Sequence, residues 1–488
     1  MSVFNILQQS PYSLEPKSCG PPAKEENPLN ARWVPSRYNV RATTSNGSLI
    51  VWNIYTNSVT SFKPALVPRV LELLSRRGVK AKREGLIKFL AERGFLIKDD
   101  VDEYRLFRLA FARVHYSNER LQLFLLASED CNFRCKYCYE NFPRGTMEPW
   151  VREAVKKYLT KCVPRLKQFQ LEWFGGEPLY GMEAIADIAP FAAELAQKHS
   201  IPYLSKVTTN AYLLTPEIIE QLFSWRVMNY QITLDGPPEH HDCSRPARDG
   251  SPTFAVILKN LQSMQQRSDD FHVMLRVNYD HNNSADLDKL LDILKRDLHS
   301  DSRFRLAFRG ISKWGGPGDG ELSVCTPDES TEVQRRMELE AKKRGLYLTD
   351  TVYSAGGLGA QVCYAARPSS FIIGATGKVM KCTIELDTND RNVVGQIDEE
   401  GDLNLDDNKM ALWTEPAFEN DSNCKKCSFL PSCQGLSCPL LRFQTGESPC
   451  IDERKNFKHA LRVAAGDYGE EVSRKPVASE SAQDGSGK

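Results

Sequence analysis

"LQLFLLASEDCNFRCKYC", Leu121 to Cys138, joins an apolar run to three cysteines spaced C-x3-C-x2-C. The run over its first eight residues is short, continuous and closed by polar residues, the pattern of a strand buried on both faces of a parallel sheet. Five comparable runs follow: "QFQLEWFGG", "YLSKVTTN", "MNYQITLDG", "HVMLRVNYD" and "FRLAFRGI". Segments of helical pattern, among them "EPWVREAVKKYLTKCV", "GMEAIADIAPFAAELAQKH" and "TPEIIEQLFSWR", separate the earlier ones. Six βα-like units imply an α/β fold, a parallel sheet with helices outside, open or closed into part of a barrel. In such sheets the working residues collect at the carboxyl ends of the strands. The polar motifs obey that rule: the cysteine octet follows the first strand, "GGEP" ends the second, "TTNA" the third and "DGPP" the fourth.

Outside this array the pattern changes. Residues 1–30 are rich in Pro, Ser, Asn and Lys without periodicity, and "SRKPVASESAQDGSGK" at the other end is similar. A flexible N-terminus over 1–30 and a tail over 456–488 with a disordered end are expected. "RYNVRATTSNGSLIVWNIYTNSVTSF" holds two β-branched, apolar runs joined by "TTSNGS", whose Asn46-Gly47 pair is a hairpin signal. Helical patterns follow in "ALVPRVLELLSRR" and "KREGLIKFLAERGFLI", so residues 31–118 are expected to form a winged-helix-like α+β module. The βα array occupies 119–320. After Gly320 the alternation fades into a cysteine-organised region, 321–455.

Lys plus Arg and Asp plus Glu both number 63 among 488 residues, so no overall field recommends nucleic acid or an anionic membrane as a partner. The apolar runs are far short of a spanning helix, and the first residues lack a secretory signal, which makes a cytoplasmic protein the expectation. Fourteen cysteines in a reducing compartment point to metal binding or catalysis. Cys19, Cys162, Cys243 and Cys325 are scattered and read as packing residues. A structural zinc ion wants four closed ligands. The octet supplies three, and its neighbours "YENFPRG" add neither Cys nor His. Three thiolates on a cubane iron-sulfur cluster would leave one iron open for a substrate or cofactor, which is preferred here to a zinc knuckle borrowing a remote ligand.

The octet, with the aromatic Tyr137 before its last cysteine and a strand of a βα array before its first, resembles the signature of radical S-adenosylmethionine (radical SAM) enzymes. The resemblance implies a partial (β/α)6 TIM-type barrel. It makes Cys131, Cys135 and Cys138 the ligands of a [4Fe-4S] cluster whose fourth iron is chelated by SAM, with Tyr137 near the adenine. "WFGGEPL" resembles the GGE motif of that family, so Gly175, Gly176 and Glu177 are expected to receive the SAM amino group. Two glycines permit close backbone approach, and a carboxylate accepts from an ammonium. "VTTNA" and "ITLDGPPEHHDCSR" resemble later strand ends in the peptide-modifying and sulfatase-maturing branches. Thr209, Asn210 and Asp235 would line the SAM pocket, Arg245 would pair with the SAM carboxylate, and Asn278 is a further candidate.

Cys363, thirteen residues, Gly377, four residues and Cys382 fit CX9-15GX4C, the first half of the SPASM pattern. "CKKCSFLPSCQGLSC" resembles the second half, with four residues instead of three between Cys433 and Cys438, and Cys450 follows. The resemblance implies two auxiliary [4Fe-4S] clusters, for three in all. Cys424, Cys427, Cys433 and Cys450 would hold the outer one, and Cys363, Cys382 and Cys438 the inner one. The inner set lacks a fourth cysteine, so an open iron, closed by substrate or by the distant Cys325, is an expectation. The N-terminal module resembles the PqqD-like elements that pair a strand with a precursor's leader, and "SLIVWNIYT" is expected to present the edge.

What the resemblance implies is a radical SAM/SPASM peptide maturase. Such an enzyme splits SAM reductively to a 5'-deoxyadenosyl radical, abstracts hydrogen from a ribosomally made precursor and closes a thioether or carbon-carbon cross-link. Its partners would be a leader-bearing precursor and a flavodoxin- or ferredoxin-type reductant. The alternatives are an anaerobic sulfatase-maturating enzyme that makes formylglycine, and a non-catalytic iron-sulfur or peptide-binding protein.

Overall fold

A computed structural model describes residues 32–75, 79–80, 85–349 and 351–467. The segment expected to be flexible, 1–30, and the end of the tail lie outside them. Strands β1 (Arg120–Ser128), β2 (Gln168–Gly175), β3 (Tyr203–Thr209), β4 (Val227–Thr233), β5 (His272–Tyr279) and β6 (Phe304–Gly310) stand side by side in chain order, all parallel. Helices cross between them, as the sequence pattern requires. On β5 and β6 the residues Val273, Leu275, Val277, Phe304, Leu306 and Phe308 are buried against those helices in the main core. The period-2 alternation turns Arg276, Asn278 and Arg309 to the opposite face, the lumen of the open barrel.

Two features exceed the sequence expectation. The alternation does not stop at Gly320: helix Pro327–Lys343 leads to a two-residue strand β7 (Tyr347–Leu348), parallel to β6. That helix buries only Met337, Glu338 and Ala341, so its apolar stripe is faint, although Thr326 and Glu329 close a capping box at its start. On the far side, β8 (Ser370–Ile373) pairs parallel with β1, and strands Lys378–Met380, Val393–Ile397 and Leu403–Leu405 continue the sheet antiparallel. The cysteine-rich region therefore grows out of the barrel sheet itself. Helix Asp452–Ala464 keeps the chain ordered beyond 455, where the sequence suggested a tail.

Near the N-terminus, Asn39–Thr43, Leu49–Asn53 and Ser58–Phe62 form an antiparallel meander. The expected hairpin is present: the Thr44 amide donates to Ser48 O at 3.0 Å or less (2.9 Å), and Gly47 takes φ +78°. The strand expected to present an edge does not. Leu49–Asn53 is the central strand and is buried throughout. Leu49 and Val51 pack on the module's own helices with Val70, Leu73 and Leu90, while Ile50 and Trp52 pack on the cysteine region with Val362, Phe429 and Leu436. A continuous "LIVW" run is what a strand covered on both faces needs. Of the two true edges, Asn39–Thr43 lies along the C-terminal helix, with Arg462 Nε donating to Thr43 O at 2.9 Å. On Ser58–Phe62 the ladder leaves the backbone of Val59 and Ser61 facing outward, and among the described residues no backbone hydrogen bond reaches them there.

Helix Glu103–His115 wedges Phe107 and Phe111 against Phe418 at ring distances of 5.3 and 5.0 Å. At its end His115 stacks on Phe111, and its Nε2 lies 3.2 Å from Thr414 O. Burial holds this imidazole neutral, with its pKa down at about 4. An unfolded chain binds a proton near 6.5, so the contribution of the neutral ring to stability is complete above that pH and is lost as pH falls toward 4. Hydrogen exchange of this helix, corrected for intrinsic rates, should rise about tenfold between pH 7 and pH 5, and His115→Gln should flatten that rise. Equal pH dependence in both proteins would show that other groups control the docking.

Candidate active site

The octet leaves β1 at its carboxyl end and is fixed by backbone contacts on several sides. Arg134 N donates to Pro246 O and Lys136 N to Ser244 O, both at 3.0 Å. Arg248 reaches Cys131 O at 2.7 Å and ion-pairs with Asp130. From outside, the loop after β6 presses glycines against the octet. A Cβ on Gly316 would lie 2.4 Å from Cys138 O, and one on Gly318 2.1 Å from Lys136 O. The glycine density of "WGGPGDG", 314–320, was the available sequence signal for this strap.

At the end of β2 the two glycines meet the root of the octet. Gly175 has φ +125° and its Cβ would fall 2.0 Å from Ser128 O; a Cβ on Gly176 would be 2.5 Å from Asp130 O. Glu177 N donates to Asp130 O at 2.9 Å, and the fully buried side chain turns inward. Its Oε1 accepts from Leu179 N (3.0 Å) and Thr209 Oγ1 (2.6 Å), its Oε2 from Asn210 N (2.7 Å). Burial raises the Glu177 carboxyl and these three donors oppose the rise. With two lone pairs per oxygen, Oε2 retains room for one more donor. Asn210 Nδ2 also bonds Asn132 Oδ1 at 2.7 Å, tying β3 to the octet.

Tyr137 is the second hub. Its hydroxyl donates to Asp235 and accepts from Arg245 Nη1 at 2.6 Å and Asn278 Nδ2 at 3.0 Å. The ends of β4 and β5 therefore converge on the octet. Burial raises the Asp235 carboxyl, with Arg245 and the Tyr137 bond opposing it. Arg245 Nε is buried without a hydrogen-bond partner among the described residues. Asp235 N donates to His241 Nδ1 at 3.2 Å, so this fully buried histidine, unforeseen from the sequence, holds the β4 turn.

The ten clustered cysteines fall into three electrostatic groups. Burial pushes Cys131 and Cys138 up to about 12, and Cys131 is raised further by Cys135 and Cys138. Cys363, at about 12 through burial, also feels Cys382 and Cys438. Cys424, likewise at about 12, feels Cys433 and Cys427, and Cys433 feels Cys427 and Cys450. Backbone amides turn toward the sulfurs, Phe133 N to Cys131 and Phe429 N to Cys427 at 3.4 Å each. A cavity of about 1020 Å³ opens onto Cys424, Cys427, Cys433 and Cys450. Among the described residues no three Cys, His, Asp or Glu side chains gather tightly enough for a single ion. The grouping of these cysteines and the amides aimed at sulfur fit ligands of iron-sulfur clusters, which would have to bind the thiols as thiolates against the cost of burial. Cys325, the residue considered as a further inner ligand, is raised by burial and then by Glu329 and Asp280. Glu129 was also missed; it accepts from Ala375 N (2.8 Å) and Arg144 (2.7 Å), and Arg144 continues to Asp387, joining β1 to the cysteine region.

Residues 125–294 match the Radical SAM superfamily model. The chain is 24% identical over 197 residues to the radical SAM cyclopropyl synthase TigE of Paramaledivibacter caminithermalis, a match covering 36% of this chain and 40% of that protein. It is 23% identical over 328 residues to a cysteine-type anaerobic sulfatase-maturating enzyme of Clostridium novyi, covering 63% of this chain and 85% of that enzyme. Among solved structures, native anSMEcpe with bound AdoMet and Cp18Cys peptide shares the fold with a TM-score of 0.53 at 18% identity, over 72% of this chain and 98% of that one. No helix among the described residues is long and apolar enough to cross a membrane.

Proposed function

Because the chain carries a radical SAM domain over residues 125–294, we propose that it is a radical SAM/SPASM maturase of a ribosomally made precursor peptide. The observation that carries this reading is the convergence of Cys131, Cys135 and Cys138 with the Glu177 and Tyr137 hubs at the carboxyl mouth of the sheet. Cys131, Cys135 and Cys138 would hold a [4Fe-4S] cluster that, with SAM, would supply reductive radical chemistry for hydrogen abstraction from the peptide. The chain's own residues orient and exclude. Glu177 Oε2 offers its remaining lone pair to the SAM ammonium, and Arg245 offers its unpartnered Nε to the carboxylate. Gly175 and Gly176 let the end of β2 meet the root of the octet at Ser128 and Asp130, and the 314–320 strap packs on Lys136 and Cys138. Cys363, Cys382 and Cys438, with Cys424, Cys427, Cys433 and Cys450, would hold two auxiliary clusters able to take up the surplus electron, and a flavodoxin- or ferredoxin-type partner would supply the electron that SAM cleavage consumes.

The product assigned is a thioether or carbon-carbon cross-link. The precursor's leader would add as a strand to the Ser58–Phe62 edge, whose outward backbone is unpaired among the described residues. Ser61→Pro removes a donor from that edge, which tolerates proline in an edge strand. It should lower precursor turnover at least tenfold while leaving 5'-deoxyadenosine formation from SAM alone unchanged. Unchanged turnover would remove the edge from the reading. Formylglycine formation is the second reading, favoured by the match across 85% of a sulfatase-maturating enzyme. Anaerobic reconstitution followed by SAM and dithionite tests the whole proposal. About twelve irons per chain with 5'-deoxyadenosine fit three cubanes, and mass spectrometry of offered precursor or sulfatase peptides separates the two products. Zinc without 5'-deoxyadenosine would replace catalysis by binding.

A further inference from the structure

Below the Tyr137 hub the lumen carries an arrangement that none of the roles above uses. Asn278 of β5 is in register with Arg309 of β6, and Arg276 with Ala307, so Arg276 and Arg309 are diagonal neighbours on one face of adjacent strands. Both side chains are partly exposed. Arg276 Nε donates to the neutral Asn278 Oδ1 at 2.7 Å, and Arg309 Nη1 to its own strand's Phe308 O at 3.1 Å. Among the described residues neither has a carboxylate within 4.0 Å. The acids in their field are otherwise engaged or apart. Asp235 is taken by the Tyr137 hydroxyl and the Asn278 amide; Glu338, Asp452 and Glu453 line a small pocket with Arg309, where Glu338 is bound to Gln334 and His459 and Glu453, itself raised by burial, acts on Arg309 without a contact.

Two guanidiniums side by side in a partly desolvated groove repel one another, and burial and Arg309 both work against the charge on Arg276. Neither guanidinium has a carboxylate in contact among the described residues, so the pair can take an arriving anion directly. Planar guanidinium forks match a carboxylate in two-point contact. Asn278 links the pair to the reaction centre, since its Nδ2 donates to the Tyr137 hydroxyl at 3.0 Å while its Oδ1 takes the Arg276 bond. A carboxylate held there would lie on the lumen side of Tyr137, beside the space assigned to SAM.

We propose that Arg276 and Arg309 form a carboxylate-binding site for the peptide substrate, taking an acidic side chain or a C-terminal carboxylate near the residue that is modified. This rests on the peptide-maturase reading and narrows its substrate class. The experiment uses reconstituted holoenzyme with saturating SAM at fixed ionic strength. Thermal unfolding is followed with Ac-Ala-Glu-Ala-NH2, Ac-Ala-Ala with a free carboxylate, and Ac-Ala-Gln-Ala-NH2 as neutral control, each at tens of millimolar. An acidic probe should raise the midpoint by about 2 °C or more, the amide control should not, and the probe giving the larger shift identifies the source of the carboxylate. Arg276→Gln and Arg309→Gln should lose the shift, and Arg276→Gln without probe should melt no lower than the parent. Equal stabilisation by the amide, or retention of the shift in both variants, overturns the proposal. So does a tenfold weaker SAM Kd in Arg276→Gln, which would give the pair to SAM itself, or a large drop in the probe-free midpoint of Arg309→Gln, which would make that residue a structural partner of Glu453. SAM cleavage without peptide is read separately, so failure of this site and failure of the radical SAM reading are distinguishable.

Discussion

Replacing Cys135 with alanine is expected to abolish 5'-deoxyadenosine formation, a fall of at least about 10³-fold, and to leave about eight of twelve irons after reconstitution. The loss should be chemical and not a failure to fold. The octet backbone is held by Arg134 N to Pro246 O, Lys136 N to Ser244 O, and the glycines of the 314–320 strap, none of which uses the Cys135 thiol. Iron counting, SAM turnover and the melting midpoint of the same preparation check this together. Turnover that persists in the variant would remove Cys135 from the proposed ligand set. An unfolded variant would show that the thiol itself holds the loop.

Gly176→Ala is expected to have the next largest effect. The new Cβ would lie 2.5 Å from Asp130 O and 2.7 Å from its carbonyl carbon, both backbone atoms at the root of the octet. The octet or β2 must shift, and Glu177, whose amide donates to that same carbonyl at 2.9 Å, shifts with it. Displacing a positioning group by roughly 1 Å costs about 10²-fold in rate, and overpacking of this kind costs about 1–3 kcal/mol in stability. SAM turnover should fall by about that factor, with a lowered melting midpoint of the protein before reconstitution. Gly320→Ala is the control: a Cβ there meets nothing within 4 Å, so both quantities should stay at parental values. Parental activity in Gly176→Ala would mean that the close approach of these loops is not needed for catalysis.

The two variants also separate what could be read early from what could not. The β1 run, the octet and "GGEP" were legible because each obeys a local constraint: continuous apolar residues for a doubly covered strand, three ligand-type side chains on one tight loop, glycines where backbones meet. The φ of +125° at Gly175 is a consequence of that last constraint. His241 was not legible, because a buried histidine accepting from a backbone amide has no spacing rule; neither was Glu129, whose partners Arg144, Ala375 and Asp387 come from distant parts of the chain.

The N-terminal meander makes the same division. Asn46-Gly47 foretold its turn, since a backbone with φ of +78° is a local property of glycine. Which strand would be central was settled elsewhere. Leu49–Asn53 is flanked by two strands and covered by two separate cores, one of which draws many of its residues from Val352 onward. Likewise, the alternation of Arg276 and Asn278 toward one face follows from the strand period, but their meeting with Arg309 and Tyr137 depends on the register of β5 against β6 and on the path of the octet. By itself the sequence determined the strands, their order of motifs and the chemistry of the cysteines, because periodicity and side-chain type act over a few residues. Edge against centre, charge against charge and the continuation of the barrel sheet into the cysteine region were decided only in the tertiary structure, where pairing and burial join residues hundreds of positions apart.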